Sequence, residues 1–280
     1  MNEGKTDDYL KFHHRPALEG ATLVLAFTGW MDGGDVSTGT VKRLVDLLGA
    51  KAFADIDSEP FYLLHFPGPM ELTALFRPHV KIADGRIVSF EMPSNTFYSH
   101  EPGLALFLGK EPHLHWRGFG DAILELAQQV RLKRILFVGS FGGSVPHTRE
   151  PRLYVTASSD QMLKELQPYA RRRTEYEGPG SFTSYLLTRA PAAGLELASL
   201  VAEIPGYLQG RNPMSIEAVT RRLAKILQLP LDLQALRTES NEWELEMSRV
   251  VEKDKKMMKI VKELEEAYDD ELLRTEGEEG

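Results

Sequence analysis

Residues 22–49 read TLVLAFTGWMDGGDVSTGTVKRLVDLLG and contain a strand pattern, a loop and a helix pattern in turn. The run at residues 22–27 is short, apolar and bounded by turn residues, which is typical of a buried strand. A glycine-rich loop follows it, and Gly49 stands where a glycine closes the last turn of a helix. The segment therefore predicts a β-loop-α unit. The apolar residues of its helix recur at helical spacing; they are Val36, Val41, Leu44, Val45 and Leu48.

The same alternation of strand and helix patterns continues along the chain. Residues 118–130 form an amphipathic helix pattern that leads into the apolar run RILFVG at 134–139, after which we expect a second glycine loop. The pair Asp84-Gly85, between two short β-rich runs, is the signal of a two-residue hairpin turn. Apolar strands that alternate with helices predict an α/β protein whose mostly parallel sheet is flanked by helices on both faces. Further patterns predict a helix over 159–166, a strand around 195–202 and a helix over 215–227.

Composition narrows the class of protein. With 280 residues, of which 42% are hydrophobic and 26% charged, the chain can bury a sizeable core. It has no cysteine, which excludes disulfides, thiolate metal sites and a cysteine nucleophile, and which favours a reducing compartment. The first eight residues lack an apolar leader pattern, and no apolar run approaches the roughly 20 residues of a membrane span. We expect a cytoplasmic protein with no membrane partner.

The net charge of −8 is concentrated near the end of the chain. Residues 237–280 carry 15 acidic and 8 basic residues, so the rest of the chain is nearly neutral. A neutral body with an acidic extension lacks the broad basic surface that binding to a phosphate backbone requires. We therefore expect no nucleic-acid partner.

Beyond Leu236 the sequence becomes rich in Glu and Lys and acquires a 3.5-residue apolar period. Asp254 interrupts this seam, so we expect two helices there. Such a seam must be covered, either by a second subunit, which we prefer, or by the body of the same chain. The predicted organisation is an N-terminal arm (1–20), an α/β domain (21–236), a helical extension (237–274) and a disordered tail (275–280). The seam residues are Trp243, Met247, Val250, Met257, Val261, Leu264 and Tyr268.

Two glycine-rich loops and a third polar loop are the candidate ligand-binding segments. A loop between a strand and a helix favours an anion, because backbone N–H groups and the helix dipole converge there. An imidazole and a guanidinium just beyond the second loop suit the same role. We predict that the three loops meet at one edge of the sheet and form an anion-binding recess with His147 and Arg149 near its mouth. The candidate residues are Gly29, Trp30, Asp32, Gly33, Gly34, Gly142, Gly143, His147, Arg149, Glu177 and Gly178.

None of these loops carries an established catalytic motif. The first lacks both the dinucleotide fingerprint and the P-loop ending, and its glycines have an alternative role in allowing tight turns. Val138 stands where a nucleophile elbow needs glycine, so Ser140 is not expected to act as a nucleophile. His113 and His115 lack a third ligand nearby. We assign no catalytic residue, no metal ligand and no cofactor.

Several motifs together resemble one family. They are TGWMDGG (28–34), LGKEPHLHWRGFGDAI (108–123), GSFGGSVPHTR (139–149), YEGPGS (176–181) and AEIPGYLQGRNP (202–213). In this order, over residues 23–236, they are similar to the proteasome assembly chaperone family, in the branch named after the second eukaryotic assembly chaperone. The extension from Arg237 resembles that of bacterial members.

The resemblance implies a fold like that of purine nucleoside phosphorylases and a non-enzymatic function. Some archaeal members dock by a C-terminal hydrophobic-Tyr-any tripeptide, whereas this chain ends Glu278-Glu279-Gly280. The resemblance therefore predicts a binding or scaffolding protein that forms a homo-oligomer and has an unidentified protein partner. The alternative is a small-molecule or anion-binding protein, or an enzyme, that takes a nucleoside-like or phosphorylated ligand at the glycine loops.

Overall fold

The computed structural model describes residues 9–170 and 172–278, and it contains a nine-stranded sheet, a separate two-stranded ribbon and eight α-helices within those ranges. The strands are β1 (Leu10–Phe12), β2 (Thr22–Thr28), β3 (Lys51–Ile56), β4 (His79–Ala83), β5 (Arg86–Glu91), β6 (Thr96–His100), β7 (Leu104–Lys110), β8 (Arg134–Gly143), β9 (Arg152–Ala157), β10 (Arg172–Arg173) and β11 (Glu196–Pro205). The helices are α1 (Val36–Leu48), α2 (Met70–Ala74), α3 (Trp116–Gln129), α4 (Asp160–Leu166), α5 (Phe182–Arg189), α6 (Pro213–Ile226), α7 (Gln234–Val251) and α8 (Lys255–Glu278).

The centre of the sheet is parallel, as the sequence predicts. Its strand order is β1-β3-β6-β7-β2-β8-β11-β9-β10, and the four strands β7, β2, β8 and β11 run parallel to one another. Antiparallel pairs lie on both sides, with β6 against β7 on one side and β9 against β11 on the other. The α/β prediction is confirmed, and the β-loop-α unit appears as β2 followed by α1. The likeness to phosphorylases stays a prediction.

The core consists of one apolar layer on each face of the sheet. Residues 23–27 of β2 are all buried, and they alternate between the layers because successive side chains of a strand point to opposite faces. Leu23, Leu25 and Phe27 pack with α3 and α5, where Phe27 lies 5.5 Å from Phe182 between ring centroids. Val24 and Ala26 pack with α1, α4 and α6. Burial of each large side chain contributes about 1.5–3 kcal/mol, so both layers stabilise the sheet.

Strand β8 is longer than the sequence predicts. The glycine loop expected after Gly139 begins only after Gly143, because β11 continues alongside and supplies pairing partners as far as Pro205. At Gly143 a side chain would collide with Glu203, since a Cβ atom there would lie 2.5 Å from the Glu203 carboxylate. The glycines at the end of β8 therefore allow close approach of a neighbouring strand rather than a turn.

The C-terminal extension folds as α7 and α8, with Asp254 at their junction as expected. The Asp254 carboxylate accepts hydrogen bonds from the backbone N–H groups of Lys256 (2.8 Å) and Met257 (3.3 Å), which caps α8. The backbone of α8 is helical to Glu278, beyond the residue where we expected the disordered tail to begin. Glu279 and Gly280 lie outside the described residues.

The apolar seam of the extension packs largely on the body of the same chain. Val261 and Tyr268 are buried, and four more seam residues are half-buried. The prediction that Val250 is covered is wrong, because Val250 is exposed and the neighbouring Val251 is buried. Within the chain this leaves little of the seam free to bind a second subunit. The half-buried seam residues are Trp243, Met247, Met257 and Leu264.

Residues 66–92 form an apolar arm outside both core layers. It contains the short helix α2 and the ribbon of β4 and β5, whose turn at Asp84-Gly85 is the predicted hairpin. It belongs to the connection between β3 and β6, two strands that pair with each other in the sheet. Residues 57–65 and 93–95 lie between the arm and these strands, and they include the buried Phe61 and Asn95.

Among the described residues, no helix combines the length and the apolar character that a bilayer crossing requires.

Candidate functional site

The carboxyl ends of β7, β2, β8 and β11 lie at one edge of the sheet and bring the first two predicted loops together. The Ser140 backbone N–H donates to the Met31 carbonyl (2.8 Å), and its hydroxyl donates to the Gly33 carbonyl (2.7 Å). The Asn212 N–H, after β11, donates to the Gly34 carbonyl (2.8 Å). Gly34 has φ +63° and lies against Asn212, so this position requires glycine. The first loop, the end of β8 and the segment after β11 thus form one hydrogen-bonded rim.

Asp32 holds the first turn of α1 in this rim. Its carboxylate accepts from the Thr38 N–H (3.0 Å) and from the Thr38 hydroxyl (2.7 Å). Burial raises the pKa of the Asp32 carboxyl group to about 6. Asp32 is therefore a structural cap with a perturbed pKa, and its hydrogen-bonding capacity is partly used within the loop.

Gly142 and Gly143 adjoin a buried carboxylate that sequence reasoning did not identify. Glu203 of β11 accepts from the Ser144 N–H (2.7 Å) and hydroxyl (3.1 Å). The Tyr154 hydroxyl donates to the second carboxylate oxygen (3.1 Å), and Arg152 pairs with the same oxygen at 3.4 Å. Because these donors offset the cost of burying the charge, Glu203 stabilises the join between β8, β9 and β11.

His147 and Arg149 are engaged by the C-terminal helices rather than placed at the mouth of a recess. His147 is only 1% exposed, with Nδ1 2.7 Å from the Tyr207 hydroxyl and Nε2 3.1 Å from the Ser248 hydroxyl of α7. Burial lowers the pKa of His147 and raises that of Tyr207 to about 12. Arg149 donates to both carboxylate oxygens of Asp269 on α8, at 2.9 and 2.8 Å.

These contacts differ from the predicted role because partners more than 100 residues away in sequence satisfy the two side chains. A guanidinium with a two-point carboxylate contact is already neutralised.

The third predicted loop reaches the rim only at its end. Glu177 and Gly178 are exposed in the segment between β10 and α5. At the end of that segment the Phe182 N–H donates to one oxygen of Glu111 (2.9 Å), while the Trp30 N–H donates to the other (3.1 Å). Glu111 thus connects the first loop to α5. Glu111 directly follows β7, and this position at the end of a strand is the feature of the sequence that could have identified it as a site residue.

Two cavities open on either side of Lys110, the last residue of β7. The first, which we call the basic cleft, has a volume of about 590 Å³ and lies between α1, the arm and the strand ends. The second, which we call the aromatic groove, has a volume of about 450 Å³ and lies beside Glu111. Thr28, Phe76 and Lys110 line both cavities. The charged residues of the basic cleft are Asp35, Lys42, Arg77, Glu91, Lys110 and Arg211, with His79, and the rings of the aromatic groove are Trp30, Phe66, Phe76, His113 and Trp116.

Of the residues that line these cavities, sequence reasoning identified only Gly29 and Trp30, because the other walls come from distant segments. Lys42 lies on α1, Lys110 ends β7 and Arg211 follows β11. Only their shared position beyond parallel strand ends brings them together. Across the described ranges, no cluster of three His, Asp or Glu side chains is arranged to hold a metal ion.

A model of one protein family matches most of the chain. Its description is the PAC2 family, and the match spans residues 26–251. No curated protein matches the sequence closely enough to be counted.

Solved structures share the fold. A Mycobacterium tuberculosis protein of unknown function, Rv2714, has a TM-score of 0.84 at 22% identity, over 100% of this chain and 95% of that one. The proteasome-assembly chaperone homologue Rv2125 of the same organism has a TM-score of 0.75 at 24% identity, over 86% and 99%. Pyrococcus furiosus PbaB, an archaeal proteasome activator, has a TM-score of 0.64 at 20% identity, over 86% and 97%. At these identities the likeness establishes a shared fold.

Proposed function

The chain belongs to the PAC2 family, as its motifs predicted. From this and from its exposed apolar arm, we propose that it is a non-enzymatic binding or scaffolding protein that self-associates through the arm. The role is of the kind named for Rv2125, a proteasome-assembly chaperone homologue, and the arm is the surface that makes the protein contact.

The observation that carries this proposal is an exposed apolar face on the arm ribbon. Val80 pairs with Phe90 and Ile82 pairs with Ile87 across β4 and β5, so these four side chains share one face. They are between 42% and 67% exposed. Soluble monomers seldom expose an apolar patch of this kind, and an isolated two-stranded ribbon is only marginally stable in water. The face therefore requires a cover.

A second copy of this chain is the cover that fits the arm. Residues 66–92 contain three basic and three acidic residues, so the arm is neutral in a chain of net charge −8. Two copies can bring their arms together without the repulsion that their acidic helices would cause. Both edges of the ribbon also have free backbone groups for pairing, as neither β4 nor β5 joins another strand in the described part of the chain.

The polar groups of the strand ends support a structural role for that edge. Ser140 donates to a backbone carbonyl, Asp32 caps α1, and His147 lies between Tyr207 and Ser248. Groups that serve in acid–base or nucleophilic chemistry need a free atom directed at a substrate. Here these atoms are used in internal hydrogen bonds.

The test is the mass of the protein in solution. We expect wild-type protein to be larger than a single chain by light scattering, and we expect the double variant Ile82→Ser, Phe90→Ser to have a lower mass with a similar melting temperature. Lys81→Ser, on the opposite face of the ribbon, is the matched control and should keep the wild-type mass. A wild-type protein with the mass of one chain, or a double variant with unchanged mass, would contradict the proposal.

A further inference from the structure

The basic cleft and the aromatic groove meet where open α/β sheets bind ligands. Both cavities lie beyond the carboxyl ends of β2 and β7, and Thr28 and Lys110 at those ends line both of them. Crevices at this edge are the usual ligand sites in such sheets. The two cavities differ in chemistry, one being basic and the other aromatic.

The basic cleft concentrates positive charge in an otherwise acidic chain. Four Lys and Arg side chains and two acidic ones line it, whereas the whole chain has a net charge of −8. Arg211 pairs with Glu239, which also pairs with Arg43. Lys42 and Lys110, by contrast, form no ion pair with any residue in the ranges that the structure describes. Arg77 also forms no ion pair in those ranges, and its guanidinium contacts the His65 ring. The cleft therefore holds three cations that an anion can pair with.

Lys110 is the more constrained of the two lysines. It is half-buried, its ammonium group lies 5.8 Å from the centroid of the Tyr62 ring, and burial lowers its pKa. A partly desolvated ammonium group gains more from an anion than an exposed one does, because the interaction is screened less.

The aromatic groove provides flat surfaces within reach of the same lysine. Phe66 and Phe76 stack at 5.2 Å with an angle of 17° between their planes, and Trp116 also lines the groove. Trp30 is 66% exposed, so one face of its indole ring is open to a stacking partner. A large exposed tryptophan beside a cavity is unusual for a residue whose only role is packing.

From this juxtaposition we propose that the edge is a binding site for a small molecule that joins an anionic group, phosphate or carboxylate, to an aromatic ring. The anion lies between Lys110 and Lys42 in the basic cleft, and the ring lies in the aromatic groove against Trp30. This site is distinct from the apolar face of the ribbon, although the arm lines both cavities, with Arg77 and His79 in the basic cleft and Phe66 and Phe76 in the aromatic groove.

Calorimetric titration of the full-length protein with four probes tests the site. The probes are phenyl phosphate, phenylacetate, inorganic phosphate and benzyl alcohol. If both halves contribute, one or both aryl anions should bind at least about tenfold more tightly than inorganic phosphate or benzyl alcohol. Tighter binding of phenyl phosphate indicates a nucleotide-like natural ligand, and tighter binding of phenylacetate indicates an aromatic carboxylate.

Variants assign the binding to these residues. Lys110→Met and Trp30→Ala should each weaken aryl-anion binding at least about tenfold. Lys42→Gln provides a second test of the anion half, should Lys110→Met unfold the protein. Lys51→Met, at the exposed start of β3, is the matched control and should bind as the wild type does. The proposal is wrong if neither aryl anion shows saturable binding up to about 10 mM, or if the Lys42, Lys110 and Trp30 variants bind like the wild type.

Discussion

The Asp32 carboxyl group couples the first turn of α1 to pH. Its pKa rises from 3.8 to about 6 on folding, so the folded protein holds this proton more tightly than the unfolded chain does. A raised pKa stabilises the fold while the group is protonated, and this stabilisation is lost as the pH rises through about 6. We expect the free energy of unfolding of the wild type to fall, relative to that of Asp32→Asn, between about pH 4 and pH 7.

Urea unfolding at a series of pH values checks this expectation. The asparagine variant keeps an oxygen that accepts the Thr38 N–H bond but cannot ionise. Asp35→Asn removes a neighbouring negative charge that helps to raise the Asp32 pKa, so this variant should show a smaller fall than the wild type. Parallel stability curves for wild type and Asp32→Asn would contradict the assignment.

At this scale, local patterns predict backbone roles better than side-chain partners. Gly34 was predicted in a loop that needs glycine, and its positive φ and its contact with Asn212 agree with that. The partners of Arg149 were not predictable, because Asp269 and Glu265 lie more than 100 residues away on α8. A basic residue in a loop has the same local sequence whether it binds a ligand or a distant helix.

The helix α8 is the element whose docking is most directly testable. Tyr268 is buried, its hydroxyl donates to the Glu150 carbonyl (3.1 Å), and the Arg152 guanidinium lies 4.5 Å from the centroid of its ring. We expect Tyr268→Ala to lower the free energy of unfolding by about 2–4 kcal/mol without changing the mass of the protein. Leu273→Ala, exposed on the same helix, should change stability by no more than about 0.5 kcal/mol.

Chemical denaturation and light scattering on the two variants separate the alternatives for the seam. Lower stability at constant mass identifies docking within one chain, whereas a fall in mass for Tyr268→Ala identifies a seam between subunits. If neither quantity changed, α8 would not be packed through Tyr268.

The elements that sequence reasoning identified are those with strong periodicity. The central strands β2, β8 and β11 and the helices α1, α3 and α6 were predicted because apolar runs and helical spacing determine them. The central strand β7 was not identified, although most of its residues are buried. The antiparallel strands β3, β6 and β9 were not identified either, although burial alternates along β6 and β9 as in a half-buried strand. Val250 was misplaced because the break near Asp254 ends the 3.5-residue period, and the buried position moves to Val251.

For the whole molecule, we expect self-association to resist salt. The arm is neutral and its exposed face is apolar, so burying it against a second copy depends on the hydrophobic effect rather than on ion pairs. Raising the salt concentration from about 0.05 M to about 0.5 M should leave the mass from light scattering unchanged. Dissociation at high salt would instead indicate a charged interface.

The uneven distribution of charge along the sequence reflects ion pairs between the C-terminal extension and the body, which the net charge of the chain does not show. The acidic extension and the nearly neutral body were recognised, yet they gave no partner. In the structure, Glu239 of α7 pairs with Arg43 and Arg211, and Glu271 of α8 pairs with Arg152. The excess of acid in the extension is thus matched by arginines on the body. Net charge alone could not predict this, because it does not report where the arginines meet.

The place of the arm between β3 and β6 gives the protein an exchangeable module. These two strands pair with each other, so the arm is part of an elaborated hairpin connection between them. Doubling the length of a connection costs only about 0.6 kcal/mol of closure entropy, and none of the arm lies in either core layer. A different ribbon can therefore replace residues 66–92 while the sheet stays as it is. In protein engineering, this position can accept a new recognition surface while the sheet and its two core layers are kept.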